Sequence, residues 1–165
     1  MQRICLAFLR FSLCTWVGVS TFFIVAVLKV VDSILYDMPP WNKFSHPTFF
    51  LPPYYGFAFP LLGVALLCAF GALWNPRIGV SRRWATLLLV TAALGMVAVD
   101  YATIYRELVA IFSATAIKAS TVVTLYQVSR LLKGAVLGLS VLAASLAVWP
   151  EISGDLTACR PDPAL

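Results

Sequence analysis

Four stretches of the chain contain no charged side chain, and each is about as long as a lipid bilayer is thick. They cover residues 11–28, 56–74, 84–99 and 134–150. An α-helix rises about 1.5 Å per residue and a bilayer's hydrocarbon core is about 30 Å thick, so about 20 apolar residues cross it. Only helices and closed barrels satisfy their backbone groups in lipid, and these stretches lack the alternation of barrel strands. The sequence therefore predicts an all-α polytopic membrane protein, with four transmembrane helices in a bundle.

Composition supports one membrane domain. Hydrophobic residues make up 61% of the 165 residues and charged residues only 12%, against about 25% charged in soluble proteins. Four spans use nearly the whole length, so we expect a single domain over residues 1–150 and a mobile polar tail over residues 151–165. We interpret the net charge of +5 as attraction to anionic lipid and expect no nucleic-acid partner. We also expect the first helix to be retained rather than cleaved as a signal peptide.

Proline and helical periodicity set the expected helix boundaries. Prolines up to Pro53 predict a loop that lasts until the second helix begins, around residues 55–59. The third helix is expected to begin at Arg82, with Ser81 as its N-cap, and to reach at least Val99. Its helical pattern continues to residue 112, which predicts either an extension of helix 3 beyond the membrane or a kinked interfacial helix. A second amphipathic stretch, residues 119–133, leads into the fourth helix.

Small residues suggest where the helices pack. Gly134-x-x-x-Gly138 in the fourth helix has the spacing that lets helix backbones approach closely, and Gly18 lies four residues after Cys14 in the first. We favour packing of these glycines within the bundle. Homodimerisation is the alternative.

The two ends of the bundle differ in charge density and in aromatic residues. Both termini and the short loop containing Arg82 and Arg83 share one end, and the positive-inside rule favours the cytoplasmic side for it. We therefore expect a multi-pass protein of the inner or plasma membrane with cytoplasmic termini. The opposite end carries the two longer connections and all six tyrosines, so we expect functional residues there.

Several charged residues are predicted to lie at one level at this tyrosine-rich end. Charged groups at membrane depth are costly and usually pair or face a cavity. We expect Asp100 to pair with Arg130 or Lys133. Two interpretations remain open: a polar vestibule for a substrate, lipid headgroup or partner, and a ring of headgroup-level residues that merely end the spans. The candidate vestibule residues are Lys29, Asp32, Asp100, Arg106, Glu107, Arg130 and Lys133.

Residue patterns typical of enzymes are missing from the sequence. His46 is the single histidine, so it is the one candidate base for a Ser-His-Asp triad, and a bis-histidine haem site cannot form in one chain. No phosphate-binding glycine loop and no HExxH motif occurs, and the four cysteines have no CxxC spacing. We expect no catalytic residues, no metal site, no cofactor and no enzymatic activity.

Two motifs are similar to those of a known family. Leu9-Arg10-Phe11-Ser12, Trp16-Val17-Gly18 and Phe22-Phe23 occur in the first helix, and Phe50-Leu51-Pro52-Pro53-Tyr54-Tyr55 leads into the second. Together they resemble an uncharacterised family of small bacterial four-helix membrane proteins related to eukaryotic transmembrane protein 205. An L-H-x-x-S motif of that family would fall at Leu125-Tyr126-Gln127-Val128-Ser129, where Ser129 matches and no histidine is present.

The resemblance implies a four-helix fold without an established reaction, and the eukaryotic relative's link to drug resistance and secretion hints at transport or trafficking. Three hypotheses about function follow. The first is a non-catalytic accessory or assembly role, with the lipid bilayer and either a second copy or another membrane protein as partners. The second is a transporter or exporter subunit with the polar vestibule. The third is a membrane-bound electron-transfer or enzyme subunit.

Overall fold

The computed structural model describes residues 2–27, 47–75, 78–113 and 119–149. Within these residues every regular element is helical, which confirms the predicted all-α fold. Four helical stretches are long and apolar enough to cross a membrane, and the chain is a membrane protein with a four-helix bundle. The elements are α1 (Gln2–Phe22) with a π-helical turn at Phe23–Val27, α2 (Pro47–Ala72), α3 (Val80–Val99) with a π-helical turn at Asp100–Tyr105, α4 (Arg106–Ser113), and α5 (Ala119–Val148).

The helices pack in a closed cycle. Helix α1 contacts α2 and α5, and α3 contacts the same two helices. Helices α1 and α3 therefore lie diagonally across the bundle from each other. A side-chain hydrogen bond joins each of the four neighbouring pairs. Ser12 donates to the Leu61 carbonyl between α1 and α2, and Trp16 donates to Ser140 between α1 and α5. Tyr55 donates to Asp100 where α2 meets the end of α3, and Arg82 donates to the Leu146 carbonyl between α3 and α5.

The interior has an aliphatic half and an aromatic half. The aliphatic half lies near the arginine-rich end and contains Leu13, Ala65, Val90 and Ala143. The aromatic half contains the larger side chains, Trp16 and Tyr54 among them. The outer surface is also apolar, because large side chains such as Leu67, Leu88 and Leu131 point outward. A bundle with an apolar exterior is adapted to lipid, since contiguous exposed apolar surface is unfavourable in water.

Helix α2 begins earlier than predicted. It starts at Pro47 and includes Pro52, Pro53 and Pro60, so the predicted start around residues 55–59 is wrong. Proline lacks the N–H donor and its ring crowds the carbonyl four residues earlier, so each proline disfavours the helix locally. The three proline rings are on the exposed side of the helix. The opposite side buries Leu51, Tyr54 and Tyr55, and this packing outweighs the local preference against helix.

The third span confirms the predicted extension. Helix α3 continues through its π-helical turn into α4 without a break, so the stretch Val80–Ser113 has 34 residues. At about 1.5 Å per residue it is ~51 Å long, well over the ~30 Å of the hydrocarbon core. Its N-cap is Gly79, with no side-chain cap, rather than Ser81. Helix α5 likewise continues from the amphipathic stretch at Ala119 to Val148.

The predicted packing glycines require correction. Gly18, Gly134 and Gly138 are exposed, and a methyl group added to any of them would meet no atom within 4 Å. The buried side of α5 passes through Val136, Ser140, Ala143 and Ala147, which turns Gly134 and Gly138 outward. These glycines do not pack inside the bundle.

Close helix contact comes from alanines and one other glycine. Ala65 and Ala69 on α2, and Ala143 and Ala147 on α5, have the same four-residue spacing and are buried. Gly71 is the glycine in close contact, because a Cβ there would lie 3.3 Å from the Cys5 Sγ atom.

Candidate functional site

A buried ion pair lies where α3 widens into its π-helical turn. Asp100 is the first residue of that turn, and Lys133 lies on α5. The Lys133 Nζ atom is 2.7 Å from Asp100 Oδ2, and the two side chains are 2% and 3% exposed. The predicted pairing of Asp100 is therefore confirmed, with Lys133 as the partner. π-Helical turns are rare and are often found at functional sites.

Each charge of the pair has further partners. The Tyr55 hydroxyl donates to Asp100 Oδ2 over 2.8 Å, and Lys133 also donates to the Ser129 hydroxyl one helical turn earlier. The Lys133 Nζ atom lies 5.1 Å from the ring centroid of Tyr54 and 5.5 Å from that of Tyr55. Burial of two charges is costly unless such hydrogen bonds and cation–π contacts surround them.

Three polar atoms in this region have no hydrogen-bond partner within the described part of the chain. They are Ser20 Oγ, Tyr54 Oη and Asp100 Oδ1. The three residues are 0%, 1% and 2% exposed. We call the whole group the buried polar cluster, which consists of Ser20, Tyr54, Tyr55, Asp100, Ser129 and Lys133.

The depth of the ion pair follows from the tryptophans at the arginine-rich end. Trp84 and Trp149 are exposed there, as expected of side chains at headgroup level. Asp100 follows Trp84 by 16 residues and Lys133 precedes Trp149 by 16, so each lies about 24 Å from that interface. The pair is thus inside the hydrocarbon depth, close to its far boundary.

An aromatic group connects the ion pair to the outer surface. Tyr55 contacts Tyr101 edge-on, with ring centroids 5.1 Å apart, and Tyr101 stacks on Tyr105 at 5.3 Å. Phe59 contacts both Tyr55 and Tyr101. These rings shield the Tyr55–Asp100 hydrogen bond from the lipid side.

The other vestibule candidates within the described part of the chain are exposed and are not part of the buried pair. Arg106 and Glu107 are exposed on α4, and Arg130 is exposed on α5. Lys29 and Asp32 lie outside the described residues. Of the five described candidates, the structure brings together only Asp100 and Lys133.

Four residues of the buried polar cluster were not predicted as site residues: Ser20, Tyr54, Tyr55 and Ser129. Ser129 precedes Lys133 by one helical turn, so its position on the same side of α5 was readable from spacing. Tyr54 precedes Trp74 by 20 residues, which puts it about 30 Å from the tryptophan level, close to the depth of Asp100. The prediction of a loop over residues 32–55 hid that relation.

The arginines at the arginine-rich end bind backbone carbonyl oxygens. Arg82 donates to the carbonyl oxygens of Leu146, Ala147 and Trp149 at the C-terminal end of α5. Arg83 donates to the Ile78 carbonyl over 2.7 Å. Helix C-termini expose unpaired carbonyls and carry partial negative charge, which guanidinium groups neutralise.

The described residues hold no group of three His, Cys, Asp or Glu side chains that could bind a metal ion. The buried polar cluster provides hydrogen-bonding groups and one charge pair inside a membrane. No model of a known protein family matches the chain, and no curated protein and no solved structure matches it either.

Proposed function

We propose that this protein has a non-catalytic accessory or assembly role and that it binds another membrane protein through its tyrosine-rich end. The supporting observation is the division of charges at that end. Asp100 and Lys133 bond to each other inside the bundle, whereas Arg106 and Glu107 are exposed. An internal pair stabilises the bundle, and the external charges are accessible to a partner.

The projecting helices give that partner a surface. Glu107 follows Trp84 by 23 residues, so it lies about 34 Å from the tryptophan level, beyond the ~30 Å hydrocarbon core. Leu108 on α4 and Val122 on α5 are buried in the same aromatic core as Tyr54, which holds this end of the structure to the bundle. Partner recognition there needs no change in the fold.

We further propose an inner or plasma membrane location with both termini in the cytoplasm. The arginines of the short connection support this orientation through the positive-inside rule. The surface formed by α4 and the start of α5 then faces away from the cytoplasm.

Site-specific photo-crosslinking in native membranes tests the proposed partner surface. A photoreactive amino acid at Glu107 should give one discrete adduct of higher mass. The matched control is Leu88 on α3, which is 65% exposed at hydrocarbon depth and should crosslink to lipid. Equal adduct patterns at the two positions, or none at Glu107, would count against the proposal.

The second candidate is a transporter subunit. The buried charges at hydrocarbon depth and the unpartnered Asp100 Oδ1 atom favour it, since ionisable groups in spans often mark substrate or proton pathways. Purified protein in liposomes should then conduct protons or export a solute, and Asp100→Asn and Lys133→Gln should abolish the flux while Arg130→Gln keeps it. Flux that survives all three substitutions would exclude a pathway through the pair.

A further inference from the structure

We propose that the buried polar cluster contains a binding site for a water molecule that bridges Asp100 Oδ1, the Tyr54 hydroxyl and the Ser20 hydroxyl. Each of these three atoms belongs to a side chain that is at least nine-tenths buried and has no partner among the described residues. They come from three different elements: α1, α2 and the π-helical turn after α3. The site therefore lies between helices rather than within one.

The three groups are close enough to act on one another. Ser20 lies between Trp16 and Phe23 on the buried side of the first span, and the rings of both residues contact Tyr54, with centroids 5.4 Å and 4.8 Å from its ring. The Tyr54 ring faces the Lys133 ammonium group, which is 2.7 Å from the other oxygen of the Asp100 carboxylate. A molecule held by Tyr54 thus has Ser20 and Asp100 around it.

The charge balance requires a neutral ligand. Lys133 already compensates Asp100, so an added ion would be an uncompensated charge in a medium of low dielectric constant, which is strongly unfavourable. A cation would also lie close to the Lys133 ammonium group. The pair therefore selects against both signs of charge.

The donor and acceptor pattern identifies water within the neutral class. Asp100 Oδ1 can only accept, whereas the two hydroxyls can each donate or accept. The ligand must donate to the carboxylate and exchange hydrogen bonds with the hydroxyls, and it must be small because all three side chains are almost fully buried. A buried water molecule typically makes about three such bonds to otherwise unpaired groups.

The water site has a consequence for the pair itself. With Oδ2 accepting from Tyr55 and Lys133 and Oδ1 accepting from water, both oxygens of Asp100 are hydrogen-bonded. A fully bonded carboxylate is better stabilised in its charged form than one with a free oxygen. The water site is independent of the role proposed above, and either can fail without the other.

Water-edited solid-state NMR of the full chain in lipid bilayers tests the site. Magnetisation starts on water and is followed as it reaches labelled serine side chains. Ser140 is the matched control, because it is equally buried but bonded to Trp16 and to the Val136 carbonyl. We expect build-up severalfold faster at Ser20 than at Ser140. Equal build-up at the two serines would overturn the proposal.

The Tyr54→Phe variant tests the bridge. It keeps the ring but removes one of the three partners, so build-up at Ser20 should slow toward that of Ser140, whose own rate stays constant. Unchanged build-up at Ser20 would refute a water held by Tyr54. If the variant does not fold, the comparison of Ser20 with Ser140 in the wild-type chain decides the question.

Discussion

Removal of one charge from the Asp100–Lys133 pair should destabilise the bundle far more than removal of both. At 2.7 Å and an effective dielectric constant of about 20, the two charges attract by roughly 6 kcal/mol. Most of that attraction is offset by desolvation of the two ions. In the Lys133→Gln variant the attraction is lost, but Asp100 remains buried and desolvated. The free energy of unfolding should therefore fall by about 3–5 kcal/mol.

The double variant Asp100→Asn/Lys133→Gln removes both buried charges and leaves two amides that can hydrogen-bond. Its cost should be below about 2 kcal/mol, because loss of both partners avoids an unpaired buried charge. The costs of the single variants Asp100→Asn and Lys133→Gln should therefore add up to several kcal/mol more than the cost of the double variant. Such a difference is the coupling energy of residues in direct contact.

Reversible unfolding of the purified chain in mixed detergent micelles, followed by circular dichroism, gives these free energies. Arg130→Gln is the control, because this arginine is exposed on the same helix and should cost less than about 1 kcal/mol. A double variant whose cost equals the sum of the single costs would refute the coupling. So would a Lys133→Gln variant that behaves like the Arg130→Gln control.

Three further predictions concern the contacts around this pair and the ends of the helices. Tyr55→Phe removes the hydrogen bond to Asp100 and should lower the free energy of unfolding by about 1–3 kcal/mol in the same assay, because the acceptor is charged. Gly138→Ala should be neutral or stabilising by up to about 1 kcal/mol, since its Cβ meets no atom within 4 Å and alanine favours helix. Ala143→Leu, at a fully buried position, should cost about 1–3 kcal/mol through overpacking. Equal effects at the two sites would contradict the packing described. Arg82→Gln should speed hydrogen–deuterium exchange at the C-terminal end of α5, because Arg82 donates hydrogen bonds to carbonyl oxygens there. Unchanged exchange would argue against the capping role.

Much of the fold was readable from the sequence because lipid imposes a simple rule. The absence of charge over about 20 residues predicts a spanning helix, and this rule found all four spans. The extension that follows Val99 was predicted by its helical periodicity instead. The predicted start of α2 was wrong because tertiary packing outweighs the local preference of the sequence. Prolines at positions 52 and 53 disfavour helix locally, but the burial of Leu51, Tyr54 and Tyr55 on one side holds the helix together.

The candidate site was readable only in part. Counting residues from the basic end of each span placed Asp100 and Lys133 at one depth, and charged residues at that depth usually pair or face a cavity. The count could not distinguish Lys133 from Arg130, because both lie near the same level on one helix. Their directions differ, since a helix turns by about 100° per residue, and only the packed bundle shows which direction is inward.

The sequence by itself determined the class of this protein and the number of its spans, because these follow from the cost of exposing polar groups to lipid. The tertiary structure decided which sides of the helices face each other. That choice buried Lys133, turned Gly134 and Gly138 outward, and brought Ser20 and Tyr54 beside Asp100. The arrangement of the helices depends on how four apolar surfaces fit together. Because the exterior of this chain is as apolar as its interior, the hydrophobic pattern alone does not distinguish the inward-facing side of a helix from its outward-facing side.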